Sequence, residues 1–147
     1  MHTTYKTVRL SDLKPYGNNP RFIDGAIPDV VESMRQVGYI TPIVVDEDGV
    51  ILAGHTRYAA LRQLGGENAK VEVIVAEGLT EEQKKKFRLY DNKTGEIAEW
   101  DQAKLHDELF DVDFNGYDFG QPVKETKAAP GAVQTKTCPC CGEVFEV

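Results

Sequence analysis

Ile51-Leu52-Ala53-Gly54-His55-Thr56-Arg57-Tyr58-Ala59-Ala60 passes from a wholly apolar run through a glycine straight into residues that suit a helix. Val50 to Ala53 reads as a short buried strand, and the helix is expected from about Arg57 to Leu64, stopped by Gly65-Gly66. A strand delivered onto a helix start is the unit of an α/β arrangement, and it is also a place for an anion. The first turn of a helix exposes unpaired N–H groups at the positive end of the dipole. Gly54 lets the backbone approach such an anion, Arg57 offers a fork to phosphate oxygens, and His55 and Thr56 add donors at the same point. Taken alone, Gly-x-x-Arg is more often a tight turn bearing a surface arginine, so its neighbours decide.

Upstream, Asp46-Glu47-Asp48-Gly49 is a hairpin turn with the Asp-Gly pair of a type I′ loop, preceded by a β-branched run from Ile40 to Val45 that only Thr41-Pro42 interrupts. Pro28 suits a first helical turn, Val30, Val31, Met34 and Val37 recur at helical spacing, and Gly38 supplies a left-handed stop. Tyr5 to Leu10 reads as a strand, followed by a loop that ends in Asn19-Pro20-Arg21. Downstream, Val71 to Ala76 is another strand. Thr80-Glu81-Glu82-Gln83 is a capping box opening a helix towards Tyr90. The Lys84-Lys85-Lys86 run within it reads as a solvated face. After that helix, Tyr90-Asp91-Asn92-Lys93-Thr94 groups a carboxylate, an amide and a lysine, a set that suits magnesium bridging phosphates.

The 147 residues carry a net charge of −7, which argues against coating nucleic acid by bulk charge. The excess is local. Residues 1–98 hold 13 basic and 14 acidic side chains, residues 99–118 hold 1 and 7, and the remainder is balanced. With no apolar run of membrane length and no apolar stretch at the N-terminus, a soluble, cytoplasmic protein is expected. Four segments follow: a domain over 1–98; an acidic helical extension over 99–120, with Asp101 capping a helix from Gln102 to Phe110; a linker over 121–136; and a Cys-rich end over 137–147. There Cys138-Pro139-Cys140-Cys141-Gly142 resembles half a zinc ribbon, with Cys138 and Cys141 as ligands. Structural zinc takes four ligands, so a second chain or another protein would complete the set, or the tail stays metal-free with reactive thiols.

The order of segments is more specific than any one of them. Leu13-x-Pro-x(4)-Pro20-Arg21, Ser33-Met-Arg-x-x-Gly38-x-x-x-Pro42-Ile-Val-Val45, Gly54-His-Thr-Arg57-Tyr-Ala-Ala60 and Asp91-Asn92 together resemble the ParB N-terminal domain of the ParB/sulfiredoxin superfamily. More narrowly, Leu89 to Asp101 is similar to phage and prophage ParB-like proteins, some of them fused to DNA-modification methylases. The resemblance implies a small mixed α/β (α+β) sheet with packed helices and a pocket for a nucleoside triphosphate, CTP or ATP, with magnesium. It places Arg21, Gly38, Thr41, Gly54, His55, Thr56 and Arg57 at the nucleotide, and Asp91 and Asn92 at hydrolysis, with Asp91 at magnesium. Gly54 and Arg57 match the ends of the family's Gly-Glu-Arg-Arg box; His55 replaces its glutamate and Thr56 its first arginine. Those departures remove a magnesium contact and weaken charge compensation, so hydrolysis is expected to be slow or absent. His55 stands where sulfiredoxins carry their reactive cysteine, and with no cysteine in residues 1–98 sulfinic-acid reduction is excluded. As an imidazole, His55 suits a general base or a phosphate donor.

The leading expectation is a phage- or prophage-type nucleotide-binding protein in DNA transactions such as partition, modification or packaging. One rival is a phosphotransferase, kinase or nuclease on the same fold, with His55 or Asp91 as base. Another is a non-catalytic adaptor docking a DNA-modifying protein, with the Cys-rich end as a docking or homodimer element. No membrane partner is implied.

Overall fold

In the computed structural model, which describes residues 1–110, 112–114, 117 and 119 and the backbone of 135–137 and 144–146, the chain is organised about strand β4, Lys70–Glu77. Strand β1, His2–Arg9, runs antiparallel along its whole length, from His2 opposite Glu77 to Arg9 opposite Lys70. On the other side β2, Ile43–Asp46, lies parallel to β4 and antiparallel to β3, Ile51–Ala53, giving the order β1-β4-β2-β3. A parallel pair cannot be joined by a hairpin. Here β3 and helix α2, His55–Gly65, make the crossover from β2 to β4.

The alternation in β4 is that of a strand with one face covered. Val71, Val73 and Val75 are buried, whereas Lys70 and Glu72 are exposed. The valines join Leu10, Leu13, Ile43, Val45 and Ile51 in one core, onto which Tyr58 and Leu61 of α2 pack. Helix α1, Ile27–Val37, carries Pro28 in its first turn, ends at Gly38 with φ 83°, and packs beside α2. The mixed α/β architecture expected from the strand and helix signals is the one observed.

The hairpin turn falls at 46–49 as its residues require. The Asp46 carboxylate accepts from the N–H groups of Asp48 (3.0 Å) and Val50 (2.8 Å), holding the turn from within. Helix α3, Glu81–Ile97, opens with the capping box: Gln83 N–H donates to the Thr80 hydroxyl (3.2 Å), and Thr80 N–H donates to the Gln83 amide oxygen (2.9 Å).

Three expectations need correction. Helix α2 begins at His55 rather than Arg57, because Gly54 takes the left-handed conformation (φ 100°, ψ 29°) and turns the chain at once. Helix α3 does not stop near Tyr90. Asn92 and Thr94 donate to the carbonyls of Arg88 (2.9 Å) and Tyr90 (2.8 Å) within the same helix, so polar side chains that favour turns here keep the helix going. Nor is the lysine run wholly solvated. Lys84 is buried, with its ammonium 3.0 Å from Asp46, 3.1 Å from Glu81 and 3.7 Å from Glu47. It fastens α3 to the β2–β3 hairpin. Burial alone would raise the Asp46 carboxyl; the hydrogen bond from Lys84 and those from Val50 and Asp48 outweigh it and hold it below the usual carboxylate range. The bond to Asp46 likewise lifts Lys84 above its ordinary value against the effect of burial.

The chain divides into two compact units, Met1–Glu99 and Trp100–Val147. In the second, helix α4, Gln102–Leu109, is capped by Asp101, whose carboxylate accepts from Ala103 N–H (3.2 Å) and Lys104 N–H (3.3 Å). Strands β5, Thr135–Thr137, and β6, Val144–Glu146, pair antiparallel, so Thr135 and Lys136 belong to a strand rather than to the linker that composition suggests. Cys138, Cys140 and Cys141, and with them the expected zinc ligands Cys138 and Cys141, lie outside the described residues. Among the described residues no helix is long and apolar enough to cross a membrane.

Candidate functional site

Two clusters meet at the first turn of α2. That turn carries no side-chain cap and no acidic residue, so its leading N–H groups are left for another acceptor. A side chain at Gly54 would be strained and tightly packed. A Cβ there would stand 3.1 Å from the Arg57 Nε and Nη2 atoms and 3.2 Å from Ile43 Cγ1, on a backbone that side chains rarely adopt.

The first cluster joins Arg57 to the segment that follows α1. Its Nη1 donates to the carbonyls of Thr41 (2.9 Å) and Pro42 (3.3 Å). The same segment is anchored by Tyr39, whose hydroxyl accepts from Ile43 N–H (2.6 Å) and donates to the Glu72 carbonyl (3.0 Å). Burial pushes that phenol up despite the opposing bond from Ile43. Arg57 therefore clamps the Gly38–Pro42 segment beside the helix start. The fork expected to face phosphate is engaged by backbone carbonyls in this structure. Thr41 lies exposed at the edge of the clamp, and Thr56 is half-buried in the helix turn.

The second cluster is built on His55. Its Nε2 accepts from Tyr16 N–H (3.1 Å), which ties the 14–21 loop to α2 and leaves Nδ1 as the protonated nitrogen. Burial, and then the charge of Arg88, hold the imidazole below its ordinary value, so it is neutral at physiological pH. A base acting through Nε2 would first have to release Tyr16. Arg88, which the linear pattern conceals within a charged helix, lies with its guanidinium 3.8 Å from the Tyr16 ring centroid and is 7% exposed. Arg21 reaches the same region from the loop, donating through Nη1 to Asn92 Oδ1 (3.3 Å). The loop ending Asn19-Pro20-Arg21 and the Asp91-Asn92 pair are thus brought together, although Asp91 and Asn92 sit inside α3 and not beyond its end. The Asp91 carboxylate is exposed at this edge.

Among the described residues no three His, Cys, Asp or Glu side chains gather as a metal-ligating group.

A mixed four-stranded sheet whose β3 feeds an uncapped helix start, flanked by an arginine-clamped loop, defines the class of ParB-like α/β domains. The chain belongs to the ParB N-terminal domain family, which it matches over residues 1–93. It is 41% identical over 78 residues to the ParB-like nuclease domain-containing protein YnaK of Escherichia coli, covering 52% of this chain and 87% of that one. Among solved structures it resembles the C-terminally truncated chromosome-partitioning protein ParB of Caulobacter crescentus in complex with CTP-gamma-S (TM-score 0.59, 20% identity, 71% of this chain). It also resembles a pNOB8-like ParB N-domain (TM-score 0.53, 19% identity, 74% of this chain). The chain spans 60% and 46% of those two chains, and at such identity the likeness concerns the fold.

Proposed function

We propose that residues 1–98 form a nucleotide-binding domain that serves DNA transactions, in a protein of the phage or prophage ParB-like type. The observation that carries this reading is the start of α2 behind left-handed Gly54, a cradle of N–H groups with no side-chain cap among the described residues. The likeness in fold to a ParB that binds a CTP analogue supports it. In this reading the triphosphate of CTP or ATP lies along His55, Thr56 and the Gly38–Thr41 segment that Arg57 holds in place. Asp91 contributes one carboxylate to magnesium carried on the phosphates. His55, neutral and bonded to Tyr16, acts as a donor through Nδ1 and as an anchor of the loop, so turnover is slow or absent. DNA, or a protein that modifies it, is the partner on which the bound state acts.

Calorimetric titration of the full chain with CTP, ATP and GTP, with and without magnesium, tests this directly. Wild-type protein is expected to bind at least one of them. Arg57→Ala, which frees the 38–42 segment, is expected to weaken that binding about tenfold. Binding of none of the three removes the nucleotide reading and leaves the adaptor. The name of the YnaK relative points to a second outcome: cleavage of DNA that Asp91→Ala abolishes would place the domain among nucleases.

A further inference from the structure

We infer that Arg88 is an anion-binding residue of this domain, supplying from α3 a cation for phosphate at the α2 start, where Thr56 offers only an uncharged donor. The inference rests on the nucleotide reading above and names a residue that no motif of the family resemblance includes.

Arg88 is 7% exposed, and its Nε is buried with no hydrogen-bond partner. Among the described residues no carboxylate forms an ion pair with it. A guanidinium cannot shed its proton, so burial without a counter-charge is costly and persists where something offsets it. The Tyr16 ring beneath it offsets part and fixes the plane of the fork. A ring face accepts no hydrogen bond in that plane, so it leaves the Nε donor unpaired. Tyr16 is itself bonded to His55, the first residue of α2. The depression of the His55 imidazole, caused by burial first and by Arg88 second, places the cation close enough to act on that turn. An uncapped helix start and a buried, unspent arginine thus converge through Tyr16. Phosphate is the ligand whose charge and oxygen geometry answer both.

The test uses the full chain, titrated by calorimetry with CTP and with inorganic tripolyphosphate in the presence of magnesium, together with thermal melts of the ligand-free protein. Arg88→Met is expected to weaken both ligands about tenfold while the ligand-free melting temperature stays level or rises, since a buried unpaired charge has been removed. Arg88→Lys keeps the charge without the fork and is expected to fall between. If wild type binds CTP and Arg57→Ala weakens it, but Arg88→Met binds as wild type does, the role of Arg88 falls and the nucleotide reading stands. If wild type binds neither ligand, both fall. If Arg88→Lys binds no better than Arg88→Met, a disturbed fold accounts for the loss and the inference is overturned.

Discussion

Lys84 and Arg88 stand one turn apart on α3, both almost wholly buried, and their surroundings are opposite. Lys84 has Asp46, Glu81 and Glu47 around its ammonium, and the pair with Asp46 ties the helix to the β2–β3 hairpin. Arg88 has an aromatic ring on one side and an imidazole whose protonated form it disfavours, and among the described residues no carboxylate pairs with it. The two cations show that burial of a charge does not by itself assign a role. The first is spent on the fold. The second is held in place by the fold with its Nε donor unpaired.

The largest expected effect lies on the structural side of that pair. Asp46→Ala removes the partner of a buried ammonium and two bonds that close the hairpin turn. The site is sheltered from solvent but not deep, and Glu81 and Glu47 remain, so a loss of about 2–3 kcal/mol is expected in urea unfolding, below that of a fully enclosed pair. An unchanged midpoint would show that Lys84 is no more bound to the hairpin than Arg88 is to a carboxylate. Next comes the link between Arg88 and the helix start. His55→Ala leaves the Tyr16 N–H without its acceptor and is expected to cost about 1–2 kcal/mol.

The pH dependence sharpens the same point. His55 has a folded-state value below its ordinary 6.5, so below pH 6.5 the unfolded chain takes up the proton first. Stability from this group is complete above that pH and is lost on acidification until the folded imidazole also protonates. Melting temperatures of wild type between pH 7 and about 5.5 should therefore decline, and His55→Ala should flatten the decline. In Arg88→Met, imidazole resonances should show His55 titrating nearer 6.5, because burial remains while the neighbouring charge is gone. The smallest effect belongs to Lys86, whose pair with Glu82 is exposed. Lys86→Ala should change stability by less than about 0.5 kcal/mol, and a larger change would make the whole lysine run structural.

Much of the fold was readable because its signals are local. Asp48-Gly49 specifies a turn, Thr80 to Gln83 a helix start, and Gly54 the pivot between β3 and α2. The candidate site was readable in its backbone parts for the same reason. What was hidden depends on which face a long helix turns inward. Three consecutive lysines are equivalent in a string, and Lys84 becomes distinct only when β2 brings Asp46 beneath it. Arg88 shares that face, four residues on, and its role is invisible until Tyr16 arrives from a loop more than half the domain away. Arg57 was recognised, but the carbonyls of Thr41 and Pro42 that occupy it belong to a segment whose path no spacing rule fixes.

The register of β1 on β4 has a consequence in time. Arg9 ends the first strand and Lys70 begins its partner, so roughly sixty residues must be made before the two can pair, and such distant closure is slow. β2 waits for the same strand. A ribosome that has released the chain as far as Gly66 has delivered a hairpin and two helices but no sheet between them. The emergence of β4 then completes both pairings at once, so the domain is assembled from its last strand and not from its first.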